Sequence, residues 1–209
     1  MNRKITLFLF CGTSVIAQVN GTSTIKAVRN LPFTAQTKTE TIQALPDSGR
    51  VVRTTEAVLT RDSEGRTRRE QTGTGIVFLH DPVLGLAWVI DTHAETARQY
   101  VIPAAVENQK RDSSPQTEPL DTTVIEGLTT SGSRLIRDLP AGEAGNDRPI
   151  RVTSEAWYSA ELQLVLSSHT LDPRTGETTY NVTGIVRAEP DRALFQVPAG
   201  YRIQSPAGK

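Results

Sequence analysis

SEAWYSAELQLVLSSHTLDPRTGETTYNVTGIVRAEPDRALFQVPAGYRI, residues Ser154 to Ile203, carries the densest set of mutually consistent local signals in the chain. Leu162, Leu164 and Leu166 recur at every second position, and Tyr180, Val182 and Val186 alternate back after a break. A two-residue period is that of a strand buried on one face. The break is Asp172-Pro173-x-x-Gly176, in which the Asp carboxylate can cap the turn, Pro presets φ and Gly accepts a positive φ. The stretch therefore predicts a β-hairpin. An Asp-capped helical turn over Asp191–Phe195 and a closing strand over Val197–Ile203 follow.

The same grammar extends upstream. Strands are predicted over Phe33–Leu45, Val51–Arg61, Arg66–Gln71, Gly75–His80, Leu86–Asp91 and Thr96–Ile102, punctuated by turns such as Pro46-Asp47-Ser48-Gly49 and Asp81-Pro82-Val83-Leu84-Gly85. Thr122–Gly127, Ser133–Leu139 and Arg151–Tyr158 complete the set. No long helical periodicity is present. Strands joined by short loops pair antiparallel, because parallel neighbours need crossovers of about a dozen residues or more. The fold class expected is mainly β: a single domain, residues 33–203, built as a curved antiparallel meander that forms a half-barrel or unclosed barrel with one or two short helical turns. So many strands cannot stay a flat open sheet.

The flanks read differently. Residues 1–17 have a basic tip, Asn2-Arg3-Lys4, an apolar run from Ile5 and small residues ending at Ala17, the pattern of a secretory signal peptide. The run is shorter than the roughly 20 residues of a spanning helix. Residues 18–32 form an N-terminal segment and 204–209 a tail. Within the domain, Ala105–Leu120 is polar and aperiodic, and is expected to be a mobile loop; Pro140–Pro149 is a second irregular loop.

The only cysteine, Cys11, lies inside the leader, so the exported chain has to be held by packing without disulfides. With 23 basic and 23 acidic residues the net charge is zero, which argues against nucleic acid as a partner. No cofactor is expected. His80, His93 and His169 are isolated and lack metal-ligand spacing. No Gly-x-Ser-x-Gly elbow occurs, although a Ser with His169 is a matter of geometry that spacing leaves open. Asn20-Gly21-Thr22 and Asn181-Val182-Thr183 match the glycosylation pattern, the second in mid-strand.

The candidate ligand-binding residues are Trp88, Trp157, Arg66 and Arg68. Arg50, Arg53, Arg61, Arg66, Arg68 and Arg69 crowd one hairpin pair, and guanidinium forks suit anionic groups. The competing reading is a solvated face neutralised by Glu56, Asp62, Glu64 and Glu70. Trp88 shares a strand face with Leu86 and Ile90, as a core residue does; Trp157 follows Glu155 and could line a rim.

Trp157-Tyr158, the strand-DPxxG-strand hairpin through Tyr180, and the ending Glu189-Pro190-Asp191-x-x-Leu194-Phe195-x-Val197-Pro198-x-Gly200-Tyr201 resemble the outer-membrane lipoprotein-sorting superfamily. Phe33-Thr34-Ala35-Gln36-Thr37 looks like that family's first strand. The chain is also similar overall to exported proteins of Acidobacteria-type bacteria that have no assigned activity. The resemblance implies an unclosed barrel around an apolar cavity that takes up lipid chains, under a helical lid. The family's long first helix would have to fit Val19–Pro32, where Thr22–Asn30 offers at most two turns. No catalytic motif carries over.

The function these features point to is a non-enzymatic, exported envelope protein, periplasmic or extracellular, holding a lipid, a lipoprotein or another amphiphile in the concave face. The alternatives are an interaction or sensor module that binds an envelope protein, and a secreted hydrolase.

Overall fold

A computed structural model of the chain describes residues 27–46, 48–102 and 116–204. The leader reading of residues 1–17 and most of the loop reading of 105–120 lie outside the described residues.

Twelve strands form one sheet. They are β1 (Phe33–Ala44), β2 (Arg50–Arg61), β3 (Thr67–Gln71), β4 (Ile76–Asp81), β5 (Leu86–Asp91), β6 (Thr96–Val101), β7 (Gln116–Ile125), β8 (Leu128–Leu139), β9 (Ile150–Ser159), β10 (Leu164–Asp172), β11 (Gly176–Val186) and β12 (Arg202–Gln204). The order is β12-β6-β5-β4-β3-β2-β1-β11-β10-β9-β8-β7, a curved sheet that does not close into a barrel. Two hairpin runs, β1–β6 and β7–β11, are thus joined through the β1–β11 seam rather than forming one continuous meander. No helix among the described residues is long and apolar enough to cross a membrane.

The anticipated β10–β11 hairpin is present. Arg174 N donates to Asp172 Oδ1 at 2.9 Å and Thr175 N to Asp172 O at 3.1 Å, while Gly176 takes φ 94°. The helical turn is a 3-10 turn over Arg192–Phe195, capped by Asp191, whose Oδ1 accepts from Ala193 N at 2.9 Å.

Several boundaries differ from the sequence expectation: β8 opens at Leu128 rather than Ser133, and β10 at Leu164 rather than Leu162. Gln116–Leu120, read as the end of a mobile loop, is strand and opens β7. Its lack of apolar periodicity follows from its place at the sheet edge, exposed along most of its length. The closing strand is only Arg202–Gln204, and it pairs parallel with β6, the one non-antiparallel pairing among the described strands. Pro198 has no N–H to contribute to a ladder, and Gly200 at φ 88° turns the chain, with Tyr201 N donating to Pro198 O at 3.3 Å.

Cross-strand partners share a face. Phe33, Arg61, Thr67, His80, Ala87 and Tyr100 are successive partners from β1 to β6 and mark one face. Val58, Glu70, Val77, Ile90 and Ala97 mark the other. The first is the inside of the curve. Arg61 on β2 donates through Nη2 to Leu162 O at 2.5 Å, just before β10, three strand steps away. Three steps in a flat sheet span roughly 14 Å, so the sheet curls around this face. At the same end Gly184 N donates to Glu126 Oε2, in the β7–β8 turn, at 2.7 Å.

Each half of the sheet buries a different face. Phe33, Ala35, Leu59, Leu128, Leu162, Leu164, Leu166 and Val182 make an inner core at this closed end. Val77, Leu79, Ile90 and Ala97 make an outer core on β4–β6, capped by Phe195 with Trp88, Val197 and Tyr201 packed alongside. The segment after β11 therefore crosses to the outside and covers the half of the sheet whose outer face is apolar.

Candidate functional site

The inner face changes character along and across the strands. At the closed end it is filled by the leucine-rich core. Across β4–β6 the same face carries Phe78, Val89 and Tyr100, all half-buried, with the Arg69 guanidinium carbon 5.8 Å from the Phe78 ring centroid. Towards the opposite rim hydroxyls replace carbon: Thr37 Oγ1 donates to Ala57 O at 3.2 Å, and the Thr41 and Thr178 hydroxyls lie 3.3 Å apart. There Thr41, Gln43, Val51, Arg53, Arg174 and Thr175 line an open groove of about 260 Å³. A surface graded from apolar to hydroxyl-bearing and cationic can hold a molecule with a hydrocarbon part and a polar part.

Deeper, Arg61 is fully buried (0 % exposed) on this face. Its Nε donates to Leu31 O at 2.9 Å and its Nη2 to Leu162 O, and its guanidinium carbon stacks 4.7 Å from the Phe33 ring centroid. Nη1 is buried without a partner. Burial lowers the Arg61 pKa to about 10, opposed by the charge of Tyr158. His80, on the same cross-strand row beyond Thr67, is 7 % exposed, and its Nε2 is also buried without a partner. Burial pushes this imidazole below its ordinary value, with Asp81 pulling the other way.

The four residues singled out from sequence do not form one cluster. Arg66, Arg68 and Trp88 converge on the 3-10 turn at the outer face. The Arg66 guanidinium carbon lies 5.5 Å from the Phe195 ring centroid, Arg68 Nη1 donates to Leu194 O at 3.5 Å, and Trp88 packs on the core that Phe195 caps. Both arginines hold carboxylates: Arg66 Nε meets Asp62 at 2.6 Å and its Nη2 Glu64 at 2.5 Å, and Arg68 Nη2 meets Glu70 at 2.7 Å. Trp157 lies apart on β9, half-buried opposite Gly132, where an added Cβ would come within 3.0 Å of the indole Nε1.

The histidines stay separate. His93 is in the β5–β6 turn against Gly75, and His169 Nε2 lies 2.9 Å from Glu177 Oε1. Among the described residues no serine hydroxyl bonds a histidine, and no three potential ligands gather for a metal.

Composition and spacing do not single out Arg61 and His80. The signal that could have found them is parity: Arg61 continues the two-residue period of Ala57 and Leu59, so it has to point where they point.

No protein-family model matches the sequence, and no curated protein matches it. The fold does have counterparts among solved structures. A conserved protein of uncharacterised role from Thermus thermophilus superposes with a TM-score of 0.53 at 11 % identity, over 84 % of this chain and 91 % of that one. A chain of the MucA/MucB complex of Pseudomonas aeruginosa matches at 14 % identity and TM-score 0.48, over 86 % of this chain and 60 % of that one. A putative outer membrane lipoprotein-sorting protein domain from Vibrio parahaemolyticus matches at 9 % identity and TM-score 0.33, over 88 % and 95 %. Structural neighbours thus include the superfamily that the C-terminal block resembles. At these identities the likeness is one of fold.

Proposed function

We propose that the protein is an exported, non-enzymatic binding domain of the cell envelope that holds a lipid or other amphiphile on the inner face of its curved sheet. The observation that carries this reading is the placement of the chain's own cap. Phe195 and its neighbours cover the outer face of β4–β6. No described helix or turn covers the inner face there, where Phe78, Val89 and Tyr100 remain partly exposed beside Arg69. Half-buried apolar side chains backed by a rigid sheet and rimmed with hydroxyls suit an alkyl chain with a polar end.

The test is native mass spectrometry of protein purified from the envelope, with lipid extraction, on wild type and Val89→Glu. Co-purifying amphiphile in wild type, lost in Val89→Glu at unchanged melting temperature, is the expected result. An empty wild-type protein that also takes up no added fatty acid overturns the reading.

A second reading has its own observation. β7 is an exposed edge strand, paired on one side only, and such an edge can accept a strand from a partner protein. Pro119 and the register shift between Leu120 and Thr123 interrupt that edge, which makes it the less favoured surface.

A further inference from the structure

We propose that the groove at the open rim, between the β1–β2 hairpin and the β10–β11 turn, is a phosphate-binding site centred on Arg53. The stretch of β2 from Arg53 to Leu59, whose cross-strand row leads through Arg69 to Phe78, spans roughly 20 Å. The site is therefore separate from the Phe78 and Val89 surface, and it stands whether or not that surface holds an amphiphile.

The first feature that carries it is the groove itself. The two-residue period that turns Ala57, Leu59 and Arg61 inward also turns Arg53 inward, opposite Thr41, and Gln43 with Val51 is the next inward pair. Gly176 sets the β10–β11 turn against the backbone of Ile42, which brings Arg174 and Thr175 to the same hollow. Its volume of about 260 Å³ falls below the roughly 300–1,000 Å³ of pockets that enclose a whole small-molecule ligand. It is the size of a head group or a small anion.

The second feature is segregation of charge. The acids nearest Arg53 point to the other face: Glu40 meets Lys38 there, Glu56 is the cross-strand partner of Lys38, and Glu177 meets His169. Asp172 is already held by Arg174, which donates through Nε at 2.9 Å, through Nη2 at 2.6 Å and through its backbone N. That pair cancels in charge and leaves Arg174 Nη1 uncommitted. Among the described residues no carboxylate pairs with Arg53, so the hollow keeps one positive charge. A concave surface of one sign focuses its field and draws in a counter-ion.

The third feature is the donor set. Two guanidinium groups reach the groove from different elements, one from the strand floor and one from the turn. The floor is hydroxyl-bearing: the Thr41 and Thr178 hydroxyls lie 3.3 Å apart, and their row continues to Thr170 and Ser154, whose hydroxyls lie 3.0 Å apart. Donors placed on several sides suit a tetrahedral group with acceptors on several sides better than a flat carboxylate, and guanidinium forks match phosphate oxygens.

Amide NMR titration of the full chain at low ionic strength, with inorganic phosphate and with dodecyl phosphate, tests the site in wild type, Arg53→Gln and Arg50→Gln. Both arginines are exposed on β2, and Arg50 faces the opposite side, so the two variants carry the same net charge and differ only at the groove. Phosphate is expected to shift the amides of Thr41, Arg53 and Thr175 in wild type. It should bind Arg53→Gln at least about fivefold more weakly, as loss of a charge-assisted contact predicts, and bind Arg50→Gln as it binds wild type. Dodecyl phosphate that shifts the same amides and binds more tightly than inorganic phosphate supports the site as the seat of a lipid head. Equal or weaker binding at those amides supports it for a free phosphate ester. Equal weakening in both variants, shifts confined to other residues, or no binding of either probe overturns the site.

Discussion

Arg66 lies over Phe195, its guanidinium carbon 5.5 Å from the ring centroid, and so fastens the C-terminal turn to the outer face while Phe33 packs on the inner one. Asp62 and Glu64 hold the same guanidinium from the β2–β3 turn. At the neighbouring position Ser63 N donates to Glu189 at 3.2 Å, so the start of the crossing segment is pinned to that turn as well.

Phe195 is 4 % exposed and Leu194 38 %. Phe195→Ala should therefore destabilise the domain by roughly 3–5 kcal/mol, the usual cost of truncating a buried aromatic. Arg192→Ala, an exposed change in the same turn, should cost about 0.5 kcal/mol or less. Paired denaturant melts compare them. A Phe195→Ala protein that melts like wild type would show that the outer core does not depend on its cap.

Gly176 closes the β10–β11 turn at φ 94°, and a Cβ there would lie 2.1 Å from Ile42 O in the backbone of β1. Gly176→Ala has to strain its own backbone and push apart the β1–β11 seam that joins the two halves of the sheet. The expected loss exceeds about 2 kcal/mol. Gly85→Ala, at φ 68° with open space around it, should lose only about 1 kcal/mol. Equal losses in the two variants would count against the seam contact.

Acid should weaken the fold in two separate windows. Burial holds His80 below 6.5, so the unfolded chain takes up its proton first. The associated stability is full above about pH 6.5 and falls as the pH drops below it. His80→Phe should remove this component. Asp172 is held below 3.8, chiefly by its hydrogen bond from Arg174, so its contribution is present above about pH 3.8 and is lost only below it. Arg174→Gln should shrink the second window, leaving the backbone bond from residue 174 to Asp172, and spare the first. Melting temperature against pH resolves the two, and a flat profile from pH 7 to 5 in wild type would contradict the His80 assignment.

Export should remove the leader, so that the protein begins near Gln18. N-terminal sequencing of material from the periplasm or medium checks this; Met1 retained on a cytoplasmic product would refute it.

Strand identity was legible in the residue types wherever one face is buried, because a two-residue period is then written into them. Phe33-Thr-Ala-Gln-Thr and Leu164-x-Leu166 read correctly for that reason, as did the Asp172–Gly176 turn, whose chemistry is local, whereas Leu162 falls in the β9–β10 turn, where Gln163 takes φ 49°. Edge strands defeated the same reading. Gln116–Leu120 is wet on both sides and carries no period.

Local chemistry was enough to specify most strands, the turns between them and the capped helical turn at Asp191. Strand order was not open to it, because the β1–β11 seam joins residues more than a hundred positions apart and no local pattern encodes such a pairing. Nor was the choice of face in each half. The period of β4 is the same whether Val77 and Leu79 or Phe78 and His80 point inward, and the choice is made by where the chain after β11 lays Phe195. That placement leaves Arg61 and His80 on the same, concave side, on either side of Thr67 in one cross-strand row.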